Sequence, residues 1–459
     1  MEDIIDDLEW RGLLAITTDK DELRNALSSG RVTIYGGFDP TAPGLHIGNL
    51  VLLVTLRRLQ LAGHRPIGLV GGATGLIGDP SGKSSERVLH SHETVAEWVN
   101  RIRSEVSRFL DFDVGEASAL IVSNLDWTGP MPVLEFLRDV GKHFSVNRML
   151  DRESVKARLD GGGISYTEFS YQLLQANDYL ELYRRYGCTL QVGGSDQWGN
   201  LVSGVGLIRS VEGASVHALA TPLITKPDGT KYGKTEGGAI WLSPDLMSPY
   251  AFYQFWLNVS DAEVPGLLKV FSFNSRAEIE ELARESAERP AARAGQRALA
   301  AELTTLVHGE EETRRAIAAS QALFGRSDLA DVNEQTLAAA VAEIPSVELA
   351  WRQVFAPGDT AAGEVAVPSG TALPGPASGD RDGAGPRSIA DLMAAAGIVT
   401  SKSAARRAIA EGGAYLNNQK VTDVGAVPRP EQLLHGRYLI LRVGKRTVGA
   451  VEIKDPVSG

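Results

Sequence analysis

The chain has 459 residues, 43% of them hydrophobic and 22% charged, with a formal net charge of −11. That length exceeds one ordinary domain and gives a prior of about three, and the composition suits a globular protein with packed cores. One cysteine, Cys188, excludes an internal disulfide framework and fits a reducing compartment. The acidic start Met-Glu-Asp-Ile-Ile-Asp-Asp is unlike a secretory or mitochondrial leader, and the apolar run 50–56 is far below the roughly 20 residues that span a bilayer. A cytoplasmic location without a membrane segment is expected.

In chain order, Val32-Thr33-Ile34-Tyr35 reads as a strand, and a helix opens at His46 with Leu50, Val54 and Leu61 near one face. Pro66-Ile67-Gly68-Leu69-Val70 reads as the next strand, running into Gly71-Gly72-Ala73-Thr74-Gly75. Further strands are expected at 120–122 and 189–192, each followed by a polar turn. Strands alternating with helices imply a doubly wound, Rossmann-like parallel sheet, whose ligands bind beyond the carboxyl ends of the strands. Residues 1–245 are assigned to this α/β domain. The Ala-, Glu- and Arg-rich stretch that follows repeats Leu299, Leu303, Leu306 and Val307 at helical spacing, so 246–355 is read as a helical domain. Residues 356–387, rich in Pro, Gly, Ala and Ser without an aromatic, read as a flexible linker. A small α+β module is expected over 388–459. From Arg387 onward 11 basic residues stand against 6 acidic ones, on an otherwise acidic chain. That asymmetry suits an appended nucleic-acid module, and equally a solvated basic surface.

Four segments carry chemistry. Tyr35-Gly-Gly-Phe-Asp39-Pro-Thr41-Ala-Pro-Gly-Leu-His46-Ile-Gly48-Asn49 is strand, turn and helix start. A helix N-terminus suits an anionic phosphate, a histidine there adds a donor, and Gly48 leaves room for a flat base. Lys231-Tyr-Gly-Lys234-Thr235 offers two lysines to clamp a departing pyrophosphate, or is an ordinary basic turn. Tyr171, Gln175 and Asp178 share one side of a helix, and would hold a small zwitterion with a polar ring substituent or form a solvated face. Gly193-Gly194-Ser-Asp196-Gln197-Trp-Gly-Asn200 allows close backbone approach and a carboxylate for ribose, or is a capped strand-to-helix turn. Gly78-Asp-Pro-Ser-Gly82-Lys83-Ser84 mimics a P-loop, but that pattern requires glycine where Ile77 stands.

Together these segments resemble the bacterial tyrosyl-tRNA synthetases, over roughly residues 5–245 and again in the tail. His46-Ile-Gly-Asn49 looks like the class I His-Ile-Gly-His element, and Lys231–Thr235 like its Lys-Met-Ser-Lys-Ser partner. Residues 392–423, including Ser401-Lys402-Ser403 and Ala405-Arg406-Arg407, resemble the S4 RNA-binding module. The resemblance implies that Tyr35 and Asp178 hold a substrate phenol, while Asp79, Tyr171 and Gln175 hold its ammonium group, with Asn124 and Gln197 beside them. Asp39, Gly194, Asp196 and Gln197 would line the adenosine and carboxylate side. Thr41, His46, Gly48 and Asn49 would meet the α-phosphate and adenine, and Lys83, Arg87, Lys231, Lys234 and Thr235 the pyrophosphate. Lys402, Arg406, Arg407 and Lys420 would meet RNA.

The implied enzyme is a tyrosine--tRNA ligase, a homodimer using tyrosine, ATP with Mg²⁺, and tRNA(Tyr), with no tightly bound cofactor and no resident metal. Two departures stand out. Asn49 replaces a second histidine, and Gly36 replaces a side chain that some relatives place near the ribose, so that contact should be missing. The rivals are a tryptophanyl enzyme of the same fold, disfavoured by Tyr35, Asp178 and the tail, and a non-catalytic RNA-binding relative, disfavoured by intact His46 and loop lysines.

Overall fold

The computed structural model describes residues 3–79, 89–152, 155–156, 158–159, 163–225, 232, 234–235, 238–355, 387–444 and 447–454, with the side chains of 234, 235 and 238 excepted. The chain forms two compact units, Met1–Met247 with Phe255–His308, and Ser248–Gln254 with Gly309–Gly459. Among the described residues no helix is long and apolar enough to cross a membrane.

The first unit is built on a sheet of β1 (Ile16–Thr17), β2 (Thr33–Phe38), β3 (Arg65–Val70), β4 (Leu120–Ser123), β5 (Cys188–Gly194) and β6 (His217–Thr221), in the order β1-β6-β5-β2-β3-β4. β2 through β6 are mutually parallel and β1 runs antiparallel to β6. The chain winds outward from β2 through β3 to β4, then returns to the other side of β2 for β5 and β6. The order therefore reverses between β2 and β5, where α/β sheets open a crevice.

Helix α1 (Ile47–Leu61) follows β2, α2 (His92–Ser107) precedes β4, and α3 (Tyr166–Tyr186) and α4 (Trp198–Glu212) flank β5. A core of Tyr35, Ile67, Leu69, Ala176, Tyr179, Leu180, Cys188, Leu207 and Ile208 packs α3 and α4 on the sheet. Burying one apolar stripe per helix against a sheet face drives this layering. The expected strands at 32–35, 66–70, 120–122 and 189–192 are present with shifted ends, and the helix expected at His46 starts at Ile47.

The helical block expected over 246–355 is divided. Helices α5 (Val264–Phe271), α6 (Arg276–Glu288) and α7 (Ala294–His308) belong to the first unit. The cause is visible at the end of α5. Buried Arg11 donates through Nη1 to the carbonyls of Lys269 (3.1 Å) and Ser272 (2.8 Å), and through Nη2 to Asn274 (3.0 Å). Its Nε meets Asp7 at 2.8 Å. A guanidinium thus satisfies carbonyls that a helix end leaves orphaned.

In the second unit, α8 (Glu310–Leu323) and α9 (Glu334–Ala342) lead to β9 (Ser346–Ala350). After them come α10 (Ile389–Ala395), α11 (Lys402–Ala410), β10 (Ala414–Leu416), β11 (Gln419–Lys420), β12 (Tyr438–Val443) and β13 (Thr447–Lys454). The sheet order is β11-β10-β12-β13-β9, with β9 parallel to β13 from Ser346↔Ala450 to Ala350↔Lys454. Leu349, Trp351, Val354 and Phe355 share one core with Ile389, Leu392, Leu441 and Val451. Residues 309–355 thus pack with the basic tail, because β9 covers a sheet edge that would otherwise expose unpaired backbone groups. The linker expected over 356–387 lies outside the described residues, apart from Arg387.

Candidate active site

β2 delivers Tyr35 to the crevice, and β5 delivers Gln191 beside it as its register partner. α3 contributes Tyr171, Gln175 and Asp178, because spacings of four and three residues return to the same helix face. The loops after β2, β3, β4 and β5 supply Asp39, Thr74, Asn124 and Asp196, and the start of α1 supplies His46. These groups border one cleft of about 520 Å³.

Every residue with a described side chain that was expected at the tyrosine and nucleotide sites lines it: Tyr35, Asp39, Thr41, His46, Gly48, Asn49, Asp79, Asn124, Tyr171, Gln175, Asp178, Gly194, Asp196 and Gln197. Lys83, Arg87 and Lys231 lie outside the described residues. For Lys234 and Thr235 only the backbone is described, as β7 (Lys234–Thr235) paired with β8 (Gly238–Ala239).

At one end Asp178 is only 2% exposed. Its Oδ1 accepts from Trp127 Nε1 at 2.8 Å and its Oδ2 from Asn124 Nδ2 at 3.0 Å. Burial pushes its carboxyl up to about 7, against the lowering effect of both donors. The Tyr35 hydroxyl is buried without a partner among the described residues. Burial, and then the Asp178 charge, raise that phenol well above its usual range, so it is a neutral donor. Gln175 Oε1 and Gln191 Oε1 are likewise buried and unpaired among the described residues. Such groups cost stability unless a ligand meets them.

Toward the nucleotide side Asp39 accepts from Tyr171 Oη at 2.6 Å through Oδ2 and from Thr74 Oγ1 at 2.6 Å through Oδ1. Thr74 in turn accepts from Asn124 Nδ2 at 2.9 Å. A continuous network therefore joins Asp39 to Asp178. Gly71 is steric here, since a Cβ would lie 1.9 Å from Asp39 Oδ1. Asp79, also buried, accepts from Gln197 Nε2 at 2.6 Å. The Tyr171 phenol is raised by burial and then by Asp39, Asp79 and Asp178. Its oxygen retains lone pairs facing a carboxylate-rich site, which suits an ammonium group.

His46 caps α1. Its Nδ1 accepts from Gly48 N–H at 3.0 Å while Asn49 Oδ1 accepts from His46 N–H at 3.1 Å. With Nδ1 accepting, the neutral ring carries its proton on Nε2, a donor. Asn49 thus closes a capping box. Gly48 does more than admit a flat base, because a Cβ would come within 2.8 Å of His46 Cε1. Gly36 also has a packing cause. A Cβ there would meet Leu56 Cδ1 at 2.9 Å and Leu52 Cδ1 at 3.1 Å, so α1 occupies the space a side chain would need.

Sequence reasoning missed Trp127, Gln191 and Tyr232, and assigned no role to Thr74 within its glycine-rich segment. Tyr232 lines the cleft and packs against Phe255 at 5.8 Å and Trp256 at 6.2 Å, anchoring the described part of the lysine loop. The alternation along β5 is the one signal that marked Gln191.

A parallel sheet with a cleft at its switch point and a histidine-capped helix start is the arrangement of a class I tRNA synthetase, and residues 27–325 match the family model for class I tRNA synthetases of the W and Y type. Residues 381–449 match the tyrosine--tRNA ligase SYY-like C-terminal domain. The chain is 57% identical over 455 residues to the tyrosine--tRNA ligase of Streptomyces coelicolor, covering 99% of each. It is 56% identical over 463 residues to that of Thermobifida fusca, covering 99% of this chain and 100% of that one. A crystal structure of a C-terminally truncated mitochondrial tyrosyl-tRNA synthetase from Aspergillus nidulans matches with a TM-score of 0.63 and 31% identity, over 69% of this chain and 92% of that one. The chain belongs to the tyrosine--tRNA ligase family and is an aminoacyl-tRNA ligase.

Proposed function

We propose that the cleft activates tyrosine with MgATP in the cytoplasm. A tyrosine carboxylate oxygen attacks the α-phosphorus, the bond to the β-phosphate oxygen breaks, and pyrophosphate leaves. A tRNA(Tyr) 3′-end hydroxyl then attacks the adenylate carbonyl, the bond to the AMP phosphate oxygen breaks, and AMP departs with the hydroxyl proton passing to its phosphate or to water. In the activation step the attacking carboxylate is already ionised at neutral pH, so that step needs positioning and phosphate stabilisation and no general base. Tyr35 donates to the substrate phenol and Asp178 accepts from it. Asp79, Tyr171 and Gln175 hold the ammonium group, with Asn124 and Gln197 supporting them. Asp39, Gly194 and Asp196 face the adenosine, and Thr41, His46, Gly48 and Asn49 the α-phosphate and adenine. Lys83, Arg87, Lys231, Lys234 and Thr235 are assigned to the pyrophosphate from the sequence match alone.

The observation that carries this reading is the unpaired, buried Tyr35 hydroxyl opening into the same cleft as the buried Asp178 carboxylate. Because an ionised Asp178 accepts from the phenol more strongly than a protonated one, and burial pushes its carboxyl up to about 7 in the free protein, tyrosine affinity rises as pH approaches that value and levels off above it. Below it, affinity should fall by about tenfold per pH unit. Equilibrium dialysis between pH 6 and 8.5 measures this; a flat profile removes Asp178 from phenol recognition.

A homodimer is supported by the segment between β4 and α3, where Leu125, Val133, Leu134, Leu137, Val146 and Leu150 are exposed, Leu134 at 76%. Apolar side chains at this density mark a surface that another protein covers. Sedimentation equilibrium should give twice the chain mass at micromolar concentration, and Leu134→Glu should yield monomer; a parent enzyme that sediments as monomer rejects the pairing.

The C-terminal unit supports an S4-like RNA-binding role. Lys402, Arg406 and Arg407 are exposed on α11 and Lys420 on β11. Lys402 pairs with Asp391, which reduces its call on phosphate. Replacing Arg406 and Arg407 by alanine should raise the KM for tRNA about tenfold and leave pyrophosphate exchange unchanged, since phosphate contacts add affinity without touching activation. An unaltered KM for tRNA moves the RNA surface elsewhere.

A further inference from the structure

Two backbone hydrogen bonds, which together make one antiparallel bridge, hold the segment that carries His46. Leu45 O accepts from Leu242 N–H at 2.9 Å and Ile47 N–H donates to Ile240 O at 2.9 Å, which sets His46 opposite Trp241 as an antiparallel bridge pair. Residues 240–242 lie directly beyond β8, so the return strand of the lysine loop is stitched to the start of α1.

The third attachment comes from α2. Glu105, only 7% exposed, accepts from Leu45 N–H through Oε2 at 2.6 Å. The fit around its carboxylate is tight. A Cβ on Gly44 would lie 2.9 Å from Glu105 Oε1 and 3.0 Å from Leu246 Cδ1. Burying a carboxylate is costly, and burial does push this one above its ordinary value. Its one side-chain hydrogen bond among the described residues goes to the residue immediately before the phosphate-facing histidine.

We propose that Glu105 is a positioning residue for amino-acid activation: by accepting from Leu45 N–H it fixes the backbone entering α1, and so sets where His46 Nε2 meets the α-phosphate. This rests on the role assigned above to His46. Misplacing a catalytic donor by an ångström costs on the order of a hundredfold in rate, whereas the tyrosine pocket is formed by other elements and is untouched.

The test uses the full-length enzyme, with ATP–pyrophosphate exchange and equilibrium binding of tyrosine measured together. Glu105→Ala should lower exchange turnover by about 10- to 100-fold, while the tyrosine dissociation constant stays within about twofold. Retained tyrosine binding reports an intact fold; if the alanine enzyme does not bind tyrosine, Glu105→Met, of similar volume but without an acceptor, takes its place. Glu105→Gln keeps an acceptor for Leu45 N–H and should restore turnover to within about threefold of the parent.

In a His46→Asn background, Glu105→Ala should add less than about threefold, since a positioning residue has nothing left to position. Multiplicative losses in the double variant, or a glutamine enzyme as slow as the alanine one, overturn the proposal. Unchanged turnover in Glu105→Ala overturns it while leaving His46 in its role. A His46→Asn enzyme of undiminished rate overturns the His46 role, and the inference with it.

Discussion

In an Asp178→Asn enzyme, kcat/KM for tyrosine-dependent pyrophosphate exchange falls by about a hundredfold or more, while the value for phenylalanine changes by less than about threefold. The reason lies in how the carboxylate is used. Trp127 Nε1 and Asn124 Nδ2 each donate to one of its oxygens, at 2.8 and 3.0 Å, and the substrate phenol would be a third donor. Asparagine has one acceptor oxygen, so its own N–H₂ must face one of these donors. Losing a hydrogen bond to a charged acceptor costs about 1.5–3 kcal/mol, and a buried donor left unpaired adds about 1–3 kcal/mol. Phenylalanine has no hydroxyl and loses none of the first contribution, so discrimination narrows. Exchange kinetics with both amino acids, at saturating ATP, measure it. A tyrosine-to-phenylalanine ratio equal to that of the parent rules out Asp178 as the reader of the phenol.

The second large effect is expected at His46. His46→Asn should reduce exchange turnover by about 10²- to 10³-fold, the loss seen when one preorganised donor to a developing charge is removed. The tyrosine dissociation constant should stay within about twofold. Asparagine is chosen because His46 also caps α1 through Gly48 N–H, and asparagine is a strong N-cap residue. A thermal midpoint close to that of the parent then shows that the rate loss belongs to the chemistry. A turnover loss matched by a large drop in thermal stability would mean that the histidine serves the helix alone.

Both effects concern residues whose types and spacing stood out in the chain itself. Local rules suffice for them. A strand, a tight turn and a helix start need only short-range periodicity to recognise, and residues 171, 175 and 178 meet because a helix turns by a fixed angle per residue. The order of strands and helices also restricts where a cleft opens, since parallel sheets bind ligands at the carboxyl edge where strand order reverses. The described site residues drawn from these motifs accordingly line one cleft.

What the chain alone did not show depends on partners far away in sequence. Trp127 holds Asp178 across 51 residues, and Glu105 holds Leu45 across 60. No periodicity encodes such pairings, because they arise from packing one element against another. The same holds for the domain boundaries. Helical spacing identified helices between 246 and 355 but could not divide them, since that division depends on Arg11 reaching the carbonyls after α5 and on β9 closing the edge beside β13. Gly36 shows the limit at one residue. In sequence it is a missing ribose contact, and in the fold it is the space taken by Leu52 and Leu56. Sequence by itself determined which chemical groups exist and which local elements carry them. Only tertiary packing decided which of those groups are buried together, and hence which amides and hydroxyls among the described residues, Tyr35, Gln175 and Gln191, wait unpaired for a ligand.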